Sequence, residues 1–184
     1  MKTLLIIFSI LTLSCSTTTN TNRQIFIKDI GWRFKVPSNI SFNDSSFNKD
    51  GTLNESIPEN GSSLRLFVSK TEKGFLGAFI WNDTLDAKGW KDYHDKDTEW
   101  YFNEIRHLPT MTVLDTKYYT EKVDNIDFLV QQVKFIKKST SDTGYTYHYF
   151  GRLKGKGLDF SFEYYDKELG KSFHNVLTSS RFAN

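Results

Sequence analysis

Cysteine is almost missing from this sequence, because Cys15 is the only one among 184 residues. No disulfide can form within one chain, so a folded domain has to be stabilised by its core. Long hydrophobic runs are missing as well beyond residue 15, where no stretch approaches the roughly 18 apolar residues that a membrane-spanning helix requires. These absences predict a domain that depends on apolar packing rather than on covalent cross-links.

An excess of charge of either sign is also lacking. The chain has 24 basic and 22 acidic residues, a formal net charge of +2. If residues 1–14 are removed as a leader, Lys2 is lost, and 23 basic and 22 acidic side chains remain, a formal charge of about +1. Nucleic-acid binding requires a concentrated basic face, and attachment to a membrane surface by charge requires a polybasic segment. We therefore expect neither class of protein.

Aromatic side chains, by contrast, are abundant and make up 16% of the residues. Trp, Tyr and Phe bury more surface per side chain than other residues do, so a chain of this size can build a core without cross-links. The 170 residues at 15–184 suit a single domain.

The first fifteen residues have the layout of an export signal. Lys2 supplies a positive charge, and residues 4–13 form an apolar run that is too short to span a bilayer. The small Ser14 then precedes Cys15. This pattern resembles the lipobox of bacterial lipoproteins, although Thr12 stands where that family usually has leucine. An ordinary signal peptide followed by an unrelated cysteine is the alternative.

The lipoprotein resemblance implies a lipidated cysteine that anchors the protein. In that family the signal is cut before the cysteine and the thiol is joined to diacylglycerol. We accordingly expect a signal peptide at 1–14, a lipidated Cys15 with a flexible tether at 15–23, and one domain at 24–184. Ser16 rather than aspartate follows the cysteine, which in some bacteria favours the outer membrane. The predicted location is therefore the outer membrane, facing the periplasm.

Hydrophobic periodicity predicts an α+β domain. Trp32, Phe34 and Val36 alternate with charged residues, as expected of a half-buried strand that Pro37 ends. Strands are predicted within 24–36, 63–70, 74–81, 110–120, 126–137, 145–153 and 158–165. A helix is predicted over 86–108, and a shorter one follows Asp166. The apolar stripe predicted for the first helix consists of Trp90, Tyr93, Trp100 or Tyr101, Ile105 and Leu108.

The last two predicted strands should form a hairpin around residues 154–157. Their pattern also predicts which residues of the two strands face each other. The expected pairs are Leu153 with Leu158, Tyr149 with Phe162, Tyr147 with Tyr164, Arg152 with Asp159 and His148 with Glu163. One face of this hairpin is aromatic. We expect it to be core beneath a helix; an apolar groove for a ligand or peptide is the alternative.

Three passages resemble the Mog1/PsbP-like fold. They are the opening strand at 31–37 (GWRFKVP), the aromatic helix at 90–108, and the final strand and helix at 158–182 with its L-x-S-S-x-F ending. The resemblance implies an antiparallel sheet with packed helices, an α/β/α sandwich. Where roles are known for relatives, they are mostly binding, chaperoning or assembly, so the fold points to no shared active site.

Histidines are the first candidates for metal ligands or catalytic bases. His94 and His107 lie thirteen residues apart in the predicted helix, about 220° around its axis, so they cannot bind one metal ion together. Glu104 and His107 copy the carboxylate–histidine spacing of helical-bundle metal sites, but the second copy that such a site needs is missing. We expect His148 to pair with Glu163 across the last hairpin rather than to bind a metal ion.

One further stretch imitates a metal site without completing it. Asp44, Ser46, Asn48 and Glu55 imitate an EF-hand loop, but Lys49 stands where that loop requires glycine. The sequence also lacks the G-x-S-x-G motif of serine hydrolases. We therefore expect no catalytic residue, no cofactor and no metal site, and lipidation at Cys15.

These observations predict a membrane-anchored bacterial lipoprotein that acts as a non-enzymatic binding or assembly module in the cell envelope. Its expected partners are the membrane, through the lipid on Cys15, and an unidentified protein or small apolar ligand. Two alternatives remain open. One is a periplasmic hydrolase whose site is assembled only in the fold, and the other is an immunity lipoprotein that neutralises a toxin.

Overall fold

The computed structural model describes most of the predicted domain. Its described residues are 23–40, 48, 52–58 and 62–183. The predicted signal peptide and Cys15 lie outside them, and so do Asp44 and Ser46 of the EF-hand-like stretch. Neither α-helix in the described part of the chain has the length and apolar character needed to cross a membrane.

Nine strands and two α-helices make up the described part of the chain. In order they are β1 (Arg23–Ile27), β2 (Trp32–Val36), β3 (Leu64–Thr71), β4 (Gly74–Asn82), α1 (Ala87–Arg106), β5 (Met111–Val123), β6 (Ile126–Lys137), β7 (Thr143–Leu153), β8 (Lys156–Tyr164), α2 (Lys167–Thr178) and β9 (Arg181–Phe182). A short 3-10 helix, Lys28–Ile30, connects β1 to β2.

The strands form two antiparallel sheets. The larger has six strands in the order β3-β4-β8-β7-β6-β5, and the smaller has three in the order β1-β2-β9. The small sheet and α2 cover one face of the large sheet, which we call the inner face, and α1 covers the opposite, outer face. The predicted α+β class with an antiparallel sheet and packed helices is confirmed.

The main core lies between the inner face and the small sheet, and Trp32 is at its centre. Its indole ring lies 4.5 Å from the ring of Phe34 and 5.9 Å from that of Phe160, centroid to centroid. The indole nitrogen donates a hydrogen bond of 2.9 Å to Ser180 Oγ at the end of α2. The aromatic face of the last hairpin is part of this core, as expected. Helix α2 covers it, and the ring of His174 lies 4.8 Å from that of Phe162, centroid to centroid.

Helix α1 has the predicted extent but a different buried stripe. Asp86 caps its start by accepting a 2.7 Å hydrogen bond from the Gly89 amide. The residues buried against the sheet are Trp90, His94, Thr98 and Ile105. The stripe prediction is therefore confirmed at Trp90 and Ile105, and of its alternatives Tyr101 is half-buried while Trp100 is exposed. It was wrong for Tyr93 and Leu108, which are 56 and 41% exposed, because it counted apolar side chains only.

The β3–β4 hairpin departs from simple alternation. A β-bulge between Arg65 and Phe67 shifts the register, so Phe67 is buried and Val68 is only half-buried. Plain alternation would place Leu64, Leu66 and Val68 on one face, and the bulge is what removes Val68 from it. The turn of this hairpin is at residues 72–73, and Gly74 begins β4.

The register predicted for the last hairpin is wrong by two residues. Lys154 and Gly155 form a two-residue turn with φ of 52° and 75°, the left-handed values typical of a type I′ turn. Because side chains alternate with a period of two, a shift of two keeps every residue on its predicted face. The observed pairs are Leu153 with Lys156, Arg152 with Gly157, Tyr149 with Phe160, His148 with Ser161 and Tyr147 with Phe162.

We predict that Ser180→Ala destabilises the domain. The change leaves the buried indole N–H of Trp32 without its acceptor, and an unpaired buried donor costs about 1–3 kcal/mol. Urea unfolding followed by circular dichroism measures the loss. The matched control is Ser139→Ala at an exposed turn position, with an expected effect within about 0.5 kcal/mol. Equal stability of the two variants would show that the hydrogen bond does not hold the small sheet in place.

Candidate functional site

The outer face of the large sheet carries polar side chains beneath α1, unlike the aromatic inner face. Gln131 on β6 donates a 2.8 Å hydrogen bond to Thr98 Oγ of the helix. Tyr118 on β5 donates one of 2.9 Å to Asp95. These bonds orient α1 across the sheet through specific polar contacts. The helix consequently does not seal the outer face as tightly as the small sheet seals the inner one.

Two clefts lie between α1 and its surroundings, and each contains a histidine. The His94 cleft, beside the N-terminal half of α1, has a volume of about 380 Å³. It is defined here by Trp81, Asp83, Trp90, Tyr93, His94 and Asp97. The His148 cleft, beside the C-terminal half, has a volume of about 340 Å³. It is defined by Tyr101, Ile105, Met111, Val133, Phe135 and His148.

Phe150 on β7 lies between the two imidazoles. Its ring stacks on His94 with centroids 4.5 Å apart and on His148 with centroids 5.8 Å apart. The β7 register places Phe150 and His148 two residues apart on the same face of the sheet. The three rings form a continuous aromatic layer that separates the two clefts.

His94 is buried without a hydrogen-bond partner. Its residue surface is 2% exposed, and neither ring nitrogen bonds to another described residue. Trp90 lies 4.2 Å from its ring centroid. Burial lowers the pKa of His94 below its usual value, although the carboxylates of Asp97 and Asp159 oppose the shift. The imidazole is therefore neutral at pH 7.

His148 has the opposite electrostatic character. Its Nδ1 lies 3.6 Å from Asp159 Oδ2, and its side chain is 27% exposed. Burial lowers the pKa of His148, but the negative charges of Asp159, Asp97 and Glu163 outweigh burial and raise it above its usual value. In the same cleft, burial and the charges of Glu163 and Asp159 raise the pKa of Tyr101 to about 12, so its phenol remains neutral.

The charge pairs predicted for the last hairpin are corrected by the two-residue shift in register. His148 was expected to pair with Glu163, but Glu163 instead accepts hydrogen bonds from Tyr165 at 2.7 Å and Thr146 at 3.2 Å. Asp159 is the acid nearest to His148.

Arg152 was likewise expected to pair with Asp159, but its Nε lies 2.6 Å from Asp83 Oδ2. The Asp83 side chain is only 2% exposed, so the carboxylate of this ion pair is shielded from water. Asp83 immediately follows β4 and precedes α1. The pair therefore connects the loop that enters the helix to the edge of the hairpin.

The other residues weighed as metal ligands do not converge. Among the described residues, no group of three or more His, Cys, Asp or Glu side chains is arranged to hold a metal ion. His107 lies at the exposed end of α1, where its Nδ1 is 2.8 Å from the carbonyl oxygen of Asn103. Asn48 of the EF-hand-like stretch donates through its side chain to Thr52 Oγ at 3.0 Å.

Sequence comparison finds no match to this chain, neither among protein-family models nor among curated proteins. Structural comparison does. The solution structure of cyanobacterial PsbP (CyanoP) from Synechocystis sp. PCC 6803 is similar with a TM-score of 0.55. The alignment covers 91% of this chain and 96% of that one, at 9% sequence identity. The chain has the PsbP-like fold. At this identity the likeness establishes the fold of the PsbP-like domain and not its activity.

We predict that His94 makes the PsbP-like domain less stable in mild acid. Its pKa is lowered in the folded state, so between the unfolded value of 6.5 and the folded one only the unfolded chain binds the proton. The free energy of unfolding therefore falls as the pH drops below 6.5, by at most about 1.4 kcal/mol per pH unit for one group. His94→Leu should reduce this fall, measured as urea midpoints at pH 7.5 and 5.5.

A comparison of variants isolates His94 from the other histidines. Burial also lowers the pKa of His174, whereas the pKa of His148 is raised. The free energy of unfolding of the wild type therefore depends on pH through groups that act in opposite directions. His107→Leu, which removes an exposed histidine at the C-terminal end of the same helix, is the matched control. The same pH dependence in His94→Leu as in wild type would contradict the assignment.

Proposed function

We propose that the PsbP-like domain is a non-enzymatic binding module of the bacterial cell envelope that receives an apolar group in the His148 cleft. In this proposal a lipid on Cys15 holds the domain at a membrane. The observation that carries it is the cleft itself, whose walls are mainly apolar and whose polar groups are few. Ligand pockets have this composition, and volumes from about 300 Å³ are typical of them.

The His148 cleft can accept an apolar group and orient it. Ile105 of α1 and Val133 and Phe135 of β6 supply buried apolar contacts, and Leu108 stands 41% exposed beside them. The polar groups in the cleft include His148, whose imidazole offers an N–H donor and whose pKa is raised by the nearby carboxylates. An apolar body with a hydrogen-bond acceptor therefore complements the cleft.

A hydrolase is the second candidate, because one constellation in the same cleft resembles catalytic machinery. Ser161 lies directly opposite His148 in the β7–β8 pairing, and Asp159 lies two residues from Ser161 on the same face. A serine nucleophile, however, also needs N–H donors aimed at the developing oxyanion. Ser161 is 4% exposed in the middle of β8, a strand paired on both sides with β4 and β7. Binding accounts for this arrangement better than acyl transfer does.

The tether is long enough for the proposed anchoring. Seven residues lie between Cys15 and Arg23, the first residue of β1. The eight Cα-to-Cα steps from Cys15 to Arg23, at about 3.5 Å each, span at most about 28 Å when extended, which allows the domain to stand clear of lipid headgroups. Confinement to a membrane raises the local concentration of the module for any partner on the same surface.

We predict that Leu108→Glu impairs binding of the neutral fluorescent probe N-phenyl-1-naphthylamine. A carboxylate beside the His148 cleft is unfavourable next to an apolar ligand, and affinity should fall about tenfold or more. Leu114→Glu is the matched control, since Leu114 is 49% exposed and lies outside the lining of the cleft. Fluorescence titration gives both affinities. Equal affinities for wild type and Leu108→Glu, or no probe binding to wild type, would contradict an apolar binding site.

We predict that Cys15→Ser releases the protein from membranes. Without the thiol no diacylglycerol can be attached, so the variant should appear in the soluble fraction and remain unprocessed at residue 14. Fractionation with immunoblotting, together with metabolic labelling by a fatty acid, measures both properties. Ser16→Ala, which leaves the thiol in place, serves as the control. Normal processing and full membrane retention of Cys15→Ser would contradict lipid anchoring without affecting the proposed cleft.

A further inference from the structure

We infer that the His94 cleft is a second, separate ligand site, which binds a small primary ammonium compound with a flat apolar body. Three features of the described residues support this class of ligand: a wall of stacked indoles, a carboxylate without a partner, and a buried imidazole without a hydrogen bond. None of them depends on the apolar ligand proposed for the His148 cleft.

The aromatic wall is formed by Trp81 and Trp90. Their rings are stacked with centroids 6.0 Å apart and planes 18° from parallel. The indole of Trp81 lies against Gly157. A Cβ atom at residue 157 would collide with the ring, so the indole can occupy this position only because the residue is glycine. Tyr93 adds a third ring, 56% exposed. Because the two indoles cover each other, the exposed ring of Tyr93 is the one that can attract an organic cation or stack on a flat apolar group.

The charge around this wall is unbalanced in favour of a cation. Four carboxylates are close enough to raise the pKa of His94, namely those of Asp83, Asp95, Asp97 and Asp159. Asp83 is paired with Arg152, Asp95 with Lys91 at 2.6 Å, and Asp159 with His148. In the part of the chain that the structure describes, Asp97 alone of the four has neither an ion pair nor a hydrogen bond. A positive ligand group would supply the missing partner.

Nearby positive groups do not cancel this charge. The guanidinium of Arg152 lies 5.8 Å from the Trp90 ring, but Asp83 neutralises it. The N-terminus of α1 carries partial positive charge, and the Asp86 carboxylate caps it by binding the Gly89 amide. The cleft therefore keeps the net negative charge of Asp97.

His94 is the second, independent sign of a ligand. Buried polar groups are nearly always hydrogen-bonded, yet both nitrogens of this imidazole lack a partner while the residue forms part of the cleft wall. A neutral imidazole has one acceptor nitrogen, which can receive an N–H from an ammonium group. The same ammonium group has further N–H donors for the carboxylate of Asp97.

The test uses three probes that share a phenethyl group and differ in charge: phenethylammonium, neutral 2-phenylethanol and anionic 3-phenylpropanoate. The ¹⁵N-labelled protein has one indole N–H signal for each of its four tryptophans, so each indole can be followed separately. Binding of phenethylammonium should shift the signals of Trp81 and Trp90. It should leave those of Trp32, which is buried and bonded to Ser180, and Trp100, which is 62% exposed, unchanged. The neutral and anionic probes should bind about tenfold or more weakly, as expected for loss of one charge pair.

Two charge-matched variants of α1 complete the experiment. Asp97→Asn should reduce affinity for phenethylammonium about tenfold and remove the preference over 2-phenylethanol. Asp92→Asn removes the same charge from an exposed position outside the cleft and should bind as wild type does. An unchanged Trp32 signal confirms that each variant is folded. Equal binding of all three probes, equal behaviour of the two variants, or no shift at Trp81 and Trp90 would overturn the proposal.

Discussion

Burial of the inner face of the six-stranded sheet is the constraint on which the rest of this structure depends. That face is aromatic along β7 and β8, and it is covered only when β1, β2 and β9 come together with α2. Trp32 joins these parts, since its ring packs on Phe160 of the large sheet and its N–H bonds Ser180 after α2. Without disulfides, stability has to come from such packing.

The outer face follows a different physical rule. Its cover, α1, is held by hydrogen bonds and stacked rings, such as Gln131 to Thr98 and His94 on Phe150. Polar contacts are directional and leave gaps where apolar packing would close them. The two clefts are a consequence of this. One face of the sheet is thus closed by apolar packing, whereas the other keeps two clefts, and both proposals place their ligand in one of these clefts.

Much of the fold was predictable because its signals are local. The extents of β6 and α1, the caps at Asp86 and Asp166, and the end of β2 at Val36 all follow from periodicity or from the chemistry of one residue. Little of the candidate site was predictable. His94 was considered only as a metal ligand, and its burial depends on Phe150, which is 56 residues away in sequence. No local pattern reports such a contact.

The sequence by itself determined the fold class and the face that each residue of the last hairpin occupies, because alternation with a period of two is a property of neighbouring residues. Tertiary structure alone decided the pairing of charges. The turn at Lys154 and Gly155 set the hairpin register, which brought Asp159 rather than Glu163 to His148 and left Arg152 for Asp83. Several registers preserve the same faces, so the alternation of side chains does not select among them.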